Sequence, residues 1–219
     1  MTTQADPSTY IGGARREVRA SSREGQPTKI VIAGRHFEAP ASDVWEAISD
    51  PERIPRWFLP VTGDLREGGH YQLQDNAGGT IQRCEPPQLL AVTWEIFGAT
   101  SWVEVELSEK DGGTRLELRH EQHIDPHWEQ FGPGAVGVGW DLALLGMAIH
   151  LDTDAAVDPE GFQTWSTSQA GIEFVADCAR GWQEADIDRG EDPELARRKG
   201  AQVEAFFTGA GGDGRPAEE

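Results

Sequence analysis

Cysteine is scarce in this chain, and its two cysteines, Cys84 and Cys178, stand far apart in unrelated contexts. No C-x-x-C pair occurs, which excludes the common zinc and thiol–disulfide redox motifs. The start of the chain has no basic segment followed by an apolar one, so no export signal is visible. We therefore expect a cytoplasmic protein without a disulfide.

Basic residues are also few, because 19 Lys and Arg stand against 38 Asp and Glu, for a net charge of −19. A nucleic-acid binder needs a basic face, and an anionic membrane surface would repel this chain, so we expect neither partner. Long apolar runs are lacking as well. The longest, Val136–Leu151, is interrupted by Asp141 and by glycines and is too short to span a bilayer comfortably.

What the sequence does contain is alternation of apolar and polar residues over short segments separated by turn residues. Asn76–Gly79 and Lys110–Gly113 are typical hairpin turns. The predicted strands cover residues 15–23, 29–37, 70–75, 80–85, 89–97, 101–109 and 114–122. The pattern indicates an antiparallel sheet with one covered face and one solvent face.

Helical spacing appears in three places. Residues 41–49 carry apolar residues at helical intervals, and Val136–Leu151 is apolar on nearly every side, so it should be a helix buried on several sides. Where a curved sheet bends away from such a helix, a gap remains between them, and a pocket can form in that gap. After residue 152 we expect two or three helices packed on the main domain, one starting at Asp192-Pro193 and stopping at Gly209.

These elements predict four consecutive parts of the chain. A flexible N-terminus (1–13) precedes a main domain (14–151), which is followed by a helical extension (152–209) and a disordered tail (210–219).

Several motifs in the main domain resemble one known family. The run from Phe37 to Phe58, the segments Gly68-Gly69-x-Tyr71 and Val92-Thr-Trp94, and Gly112–Leu116 are similar to the branch of the START-like, or SRPBCC, superfamily that contains the C-terminal domain of heat-shock-protein-90 ATPase activators. The segment 132–145 resembles a bacterial subgroup of it. The resemblance implies an α+β helix-grip fold, with an incomplete seven-stranded antiparallel sheet around the last helix and a cavity between them.

The resemblance also implies a range of functions. Members of the superfamily bind lipids, hormones, polyketides and other apolar molecules, and some are cyclases, hydrolases or lyases. The eukaryotic activators carry an N-terminal chaperone-binding domain, for which the thirteen or so residues before the first predicted strand leave no room. This departure argues against a co-chaperone role of the eukaryotic kind. The fold by itself sets no specific activity.

Large aromatic residues are the first candidates for ligand binding. Trp57 and Phe58 follow a short helical turn near the expected cavity mouth, where they would either cover a flat ligand or lock the core. Trp94 falls on the covered sheet face, as a pocket or core residue. The predicted ligand-binding residues are Trp57, Phe58, Tyr71, Trp94, His120, Trp140 and Asp141.

His120 and Asp141 are the candidate catalytic residues. His120 shares a face with apolar neighbours, so it is either a hydrogen-bonded core histidine or an acid–base group. Asp141 is either a charge in the first turn of the apolar helix or a carboxylate facing the cavity. His123 and His127 follow His120, but their spacing places no metal-binding pair on one helix face, and we expect no metal and no cofactor.

Other polar and aromatic residues have open roles. Arg83 and Glu85 should share a face with Ile81, where they would contact a ligand carbonyl or pair with each other. Trp102 should lie on the solvent face of the sheet, covered by the C-terminal helices or by a second subunit.

Three hypotheses follow. The first is a binding protein for a small apolar or aromatic ligand. The second is a cyclase, hydrolase or lyase that uses the same cavity, with His120 and Asp141 as its polar pair. The third is an interaction protein, either a chaperone accessory or a homodimer formed through Trp102 and the C-terminal helices.

Overall fold

Eight antiparallel strands form one curved sheet in the computed structural model, which describes residues 6–209. The predicted tail over 210–219 therefore lies outside the described residues. The strands are β1 (Arg15–Arg23), β2 (Gln26–Phe37), β3 (Val61–Gly63), β4 (His70–Leu73), β5 (Gly78–Glu85), β6 (Leu89–Ile96), β7 (Ala99–Lys110) and β8 (Gly113–His123). The helices are α1 (Ala41–Ser49), α2 (Pro126–Phe131), α3 (Gly134–Thr153), α4 (Pro159–Ser166), α5 (Gln169–Asp188) and α6 (Pro193–Thr208).

The sheet runs in the order β1-β2-β8-β7-β6-β5-β4-β3. Seven of these strands match the predicted ones, and the α+β helix-grip architecture is confirmed. The expected count of seven is wrong by one, because β3 has only three residues and pairs only with β4. A strand that short shows too little alternation to stand out in the sequence.

The helix α3 lies across the inner face of the sheet, as its apolar surface predicted. Leu145 and Met147 have no exposed side-chain surface. By length and composition α3 could cross a membrane, but 72% of its apolar window is buried in the protein. Burial between the sheet on one side and α5 on the other therefore accounts for the apolar composition of this helix.

A short helix precedes α3 where the sequence suggested none. Pro126 occupies the first turn of α2, and the Asp125 side chain accepts a hydrogen bond from the Trp128 N–H. Proline fits this position because the first-turn N–H groups have no partner within the helix.

The predicted helical extension consists of α4, α5 and α6. The Asp192 side chain caps α6, and Gly209 ends it in the left-handed region, both as predicted. The helix α5 packs against α3 and the edge strand β1, and α6 packs against α5. A Cβ atom on Gly137 would lie 2.3 Å from the Trp182 ring, so only glycine allows α3 and α5 to approach this closely.

The N-terminal segment contains a short 3-10 turn, Pro7–Tyr10, within the range that we expected to be flexible. The Tyr10 hydroxyl donates to Asp152 at 2.5 Å, and Arg35 donates to the Tyr10 carbonyl at 2.6 Å. These bonds hold the turn against the end of α3.

Candidate functional site

A cavity of about 140 Å³ lies between the inner face of the sheet and α3. Part of its wall is formed by the gate segment, which we define as residues 54–59 and which carries Trp57 and Phe58. The lining residues are Ile48, Ser49, Ile54, Trp57, Phe58, Val61, Leu65, Tyr71, Leu73, Ile81, Cys84, Leu90, Val92, Trp94, Val103, Val105, Leu116, Leu118, Trp140, Ala143, Leu144 and Met147.

Aromatic rings form a continuous wall of this cavity. The Trp57 and Phe58 rings stack with centroids 5.4 Å apart, and Phe58 lies 6.3 Å from Trp140. Trp140 in turn meets Trp94 edge to face at 5.1 Å. The sequence placed all four residues at the cavity, and the structure brings them together from the gate segment, α3 and β6.

His120 stands behind this wall and does not line the cavity. The Trp140 indole N–H donates to His120 Nδ1 at 3.0 Å, and His120 Nε2 lies 2.8 Å from the Ser101 hydroxyl. Because Nδ1 accepts, Nε2 carries the proton and donates to Ser101, which donates to the Trp94 carbonyl at 3.0 Å. This chain of bonds holds the tryptophans of α3 and β6 in place.

The environment of His120 keeps the ring neutral. Only 3% of the residue is exposed, and burial lowers the pKa of His120 from 6.5 to about 4. A neutral imidazole is required here, because a protonated ring could not accept the Trp140 N–H. His120 is thus a positioning residue of the aromatic wall.

The polar atoms of the lining are mostly bonded within the protein. The Tyr71 hydroxyl donates to the Thr93 carbonyl at 2.8 Å, and the Trp57 indole donates to the Ala47 carbonyl at 2.8 Å. Burial, with a smaller effect from Glu95, raises the pKa of Tyr71. Burial likewise raises the pKa of the Cys84 thiol, so neither group is ionised near neutral pH.

Asp141 does not line the cavity, and the predicted polar pair of His120 and Asp141 does not form. Asp141 Oδ2 accepts from Arg16 Nε at 2.9 Å and from the Trp182 indole at 2.8 Å. Burial raises the pKa of Asp141, and the Arg16 guanidinium offsets only part of that effect. Asp141 also lies beyond the first helical turn, because α3 begins at Gly134. The contacts join α3 to β1 and α5.

Arg83 and Glu85 point away from the cavity, so the prediction that they share a face with Ile81 is wrong. The pairing of β5 with β6 shifts between Ile81 and Arg83, which is a bulge. The bulge reverses the alternation, so Cys84 faces inward with Ile81. The two charged side chains pair with each other at 2.8 Å in solvent.

Trp102 is half-buried, and two side chains from neighbouring strands contact its ring. The Arg23 guanidinium lies 4.1 Å from the Trp102 ring centroid, and the His123 ring meets it edge to face. The neighbouring outer-face residues Glu104 and Glu106 pair with Arg119, which confirms that this face is charged and open to solvent. Within residues 6–209, no group of three metal-binding side chains is placed to hold an ion.

Most of the aliphatic lining was not predicted as part of a site. Val103, Val105, Leu116 and Leu118 alternate with polar residues along β7 and β8, and all four border the cavity. Their alternation showed which way they point, but no local signal distinguishes a side chain that borders empty space from one that contacts another side chain.

Comparisons with known proteins agree with this geometry. The profile of the family described as "Activator of Hsp90 ATPase homolog 1-like protein" matches residues 38–152. CalU16 from Micromonospora echinospora, known from a crystal structure, is 34% identical to this chain in sequence. The match covers 77% of this chain and 98% of the CalU16 chain, with a TM-score of 0.61. The solution structure of CalU16 is 33% identical over 87% of this chain and 100% of its own, with a TM-score of 0.65.

A more distant structure shares only the fold. DynU16, from the dynemicin biosynthetic locus, is 22% identical over 58% of this chain and 49% of its own, with a TM-score of 0.52. No functionally curated protein matches the chain. The family profile covers more than half of the sequence, and CalU16 is similar across the main domain and beyond it. The chain therefore belongs to the activator of Hsp90 ATPase homolog 1-like family, within the SRPBCC superfamily.

Proposed function

We propose that this protein binds a small apolar or aromatic molecule in the cavity between the sheet and α3. The supporting observation is the lining itself, which is aliphatic and aromatic and contains no charged side chain among the described residues. Its Tyr71 hydroxyl and its Trp57 and Trp140 indoles already have partners within the protein. A polar ligand would lose hydrogen bonds to water here without replacing them.

The volume sets the size of the ligand part that the cavity accepts. A buried apolar cavity of roughly 150 Å³ takes up benzene, so about 140 Å³ fits one aromatic ring. The flat faces of Trp57, Phe58 and Trp140 are suited to contact with such a ring.

An enzyme in the same cavity has less support. General acid–base catalysis needs a group whose pKa lies near the working pH and which reaches the substrate. His120 has a pKa of about 4 and lies behind Trp140, and Asp141 is bonded to Arg16 away from the cavity. The binding hypothesis therefore ranks above the cyclase, hydrolase or lyase hypothesis.

The composition supports a proposal about where the protein acts and on what surfaces it does not. We propose a cytoplasmic protein that acts without nucleic acid or membrane, since the net charge of −19 disfavours both surfaces. Pairing of two copies through Trp102 has less support than the sequence suggested, because Arg23 already covers one face of that ring.

The first experiment is native mass spectrometry of freshly purified protein, repeated after denaturation. We expect a mass excess that disappears on denaturation and that identifies the chemical class of the bound molecule. The same spectrum reports whether the protein is a monomer or a dimer.

A titration with benzene, followed by amide NMR spectra, tests the cavity directly. Val92→Phe places a ring inside the cavity, whereas Val136→Phe makes the same change on a half-buried position of α3 outside it. We expect the wild type and Val136→Phe to bind benzene and Val92→Phe not to bind. Absence of binding by the wild type, or unchanged binding by Val92→Phe, would refute the proposal.

A further inference from the structure

A second cavity of about 290 Å³, here called the vestibule, lies on the outer side of the gate segment. The helical extension provides one wall of it, outside the range 38–152 that the family profile matches. Its lining residues are Pro55, Arg56, Trp57, Phe58, Leu59, Gly139, Leu142, Ala143, Gly146, Val157, Pro159, Phe162 and Gln163. The vestibule and the first cavity share Trp57, Phe58 and Ala143, so these residues form the partition between them.

One side of the partition is fixed. The Trp57 indole is bonded to the Ala47 carbonyl, and its own backbone carbonyl lies against α3 at Gly146. A Cβ atom on Gly146 would come within 2.8 Å of that carbonyl, so the close approach requires glycine. Trp57 is therefore held from two directions.

Phe58 is the side of the partition that ring contacts alone hold in place. Its ring is half-buried and makes stacking contacts with Trp57 and Trp140, whereas its side chain has no polar group to anchor it. Ala143, the third shared residue, has only a methyl side chain. Rotation of Phe58 would join the two cavities.

The vestibule differs from the inner cavity in chemistry. Its inner wall is apolar, with Leu142 and Phe162, but its rim carries Arg56 and the exposed Gln163, both of which donate hydrogen bonds. Arg56 bonds to the carbonyl of Asp154 and lies 3.5 Å from its largely exposed carboxylate. An exposed ion pair of this kind is weak, so the Arg56 guanidinium can also donate a hydrogen bond to an oxygen atom of a ligand.

Building on the proposed function, we propose that the ligand is elongated, with an aromatic ring in the inner cavity and an apolar chain crossing the vestibule to an oxygen acceptor at Arg56 and Gln163. The inner cavity alone is smaller than the roughly 300–1,000 Å³ of most ligand sites, and the two cavities together reach that range. The extension helix α4 thereby contributes to ligand selection.

The test compares two probes, benzene and 6-phenylhexanoate, on the full-length protein. Gly139 lines the vestibule and has open space where a Cβ atom would be, so Gly139→Trp adds an indole at the vestibule wall without a clash at its Cβ. Gly139→Ala is the matched control. We expect Gly139→Trp to weaken 6-phenylhexanoate about tenfold or more through loss of chain burial, and to leave benzene unchanged.

A second variant tests the rim. Arg56→Gln should weaken 6-phenylhexanoate about threefold to fivefold and leave benzene unchanged. If the wild type binds benzene but does not bind 6-phenylhexanoate more tightly, or if Gly139→Trp affects both probes equally, the vestibule proposal is refuted and the proposed function stands. If neither probe binds, both proposals are refuted.

Discussion

The buried His120 predicts a specific loss of stability in acid. Unfolded histidine has a pKa near 6.5, whereas His120 in the folded protein has a pKa of about 4. Above pH 6.5 neither state binds the proton. As the pH falls below 6.5, the unfolded state is protonated and the folded state is not, so the free energy of unfolding decreases until the pH reaches about 4.

The size of this effect follows from the two pKa values. At 1.36 kcal/mol per pH unit, the interval from 6.5 to about 4 corresponds to about 3 kcal/mol, most of which is lost by pH 4.5. The group is buried, so solvent screening does not reduce this figure much.

The assay is urea unfolding at pH 7 and pH 4.5, on the wild type and on His120→Gln. Glutamine does not titrate, but its amide can accept from Trp140 and donate to Ser101. The carboxylates and His150 titrate in both proteins, so their effects cancel in the difference. We expect the wild type to lose about 2–3 kcal/mol more than the variant. Equal losses would show that His120 is not held neutral in the fold.

Three further predictions concern the surroundings of the cavity. Asp141→Ala leaves a largely buried guanidinium without its carboxylate and should cost about 3–5 kcal/mol in urea unfolding, while benzene affinity of the folded protein stays unchanged. Gly137→Ala should destabilise the folded protein by about 1–3 kcal/mol because its Cβ meets an indole ring, whereas Gly139→Ala, where the space is open, should stabilise it by up to about 1 kcal/mol. Equal Tm shifts of the two variants would contradict this. Bound benzene should slow N-ethylmaleimide modification of Cys84, measured by mass spectrometry, with the buried Cys178 unmodified throughout; an unchanged rate would contradict its place in the cavity.

The interruption of β5 shows where local patterns fail. Alternation predicted that Arg83 would point the same way as Ile81, and a single bulge reversed the alternation. A bulge depends on how two strands pair, and neither strand carries that information alone. The charged pair therefore lies in solvent and Cys84 lies in the cavity.

Much of the fold was determined by the sequence alone. Alternation over β7 and β8 decided which side chains face inward, turn residues marked the hairpins, and the all-round apolarity of α3 required burial on two sides. These signals are local, since they depend on the period of a strand or helix and on backbone preferences at turns.

The character of the site was decided only by the tertiary structure. Asp141 and Arg16 are 125 residues apart, and their contact took Asp141 away from the cavity. Trp140 on α3 donates a hydrogen bond to His120 on β8, and the two residues meet only because the helix packs on the sheet. Sequence periodicity tells which face a side chain occupies, but what lies opposite depends on how distant elements pack. The same packing decides whether a cavity remains between them.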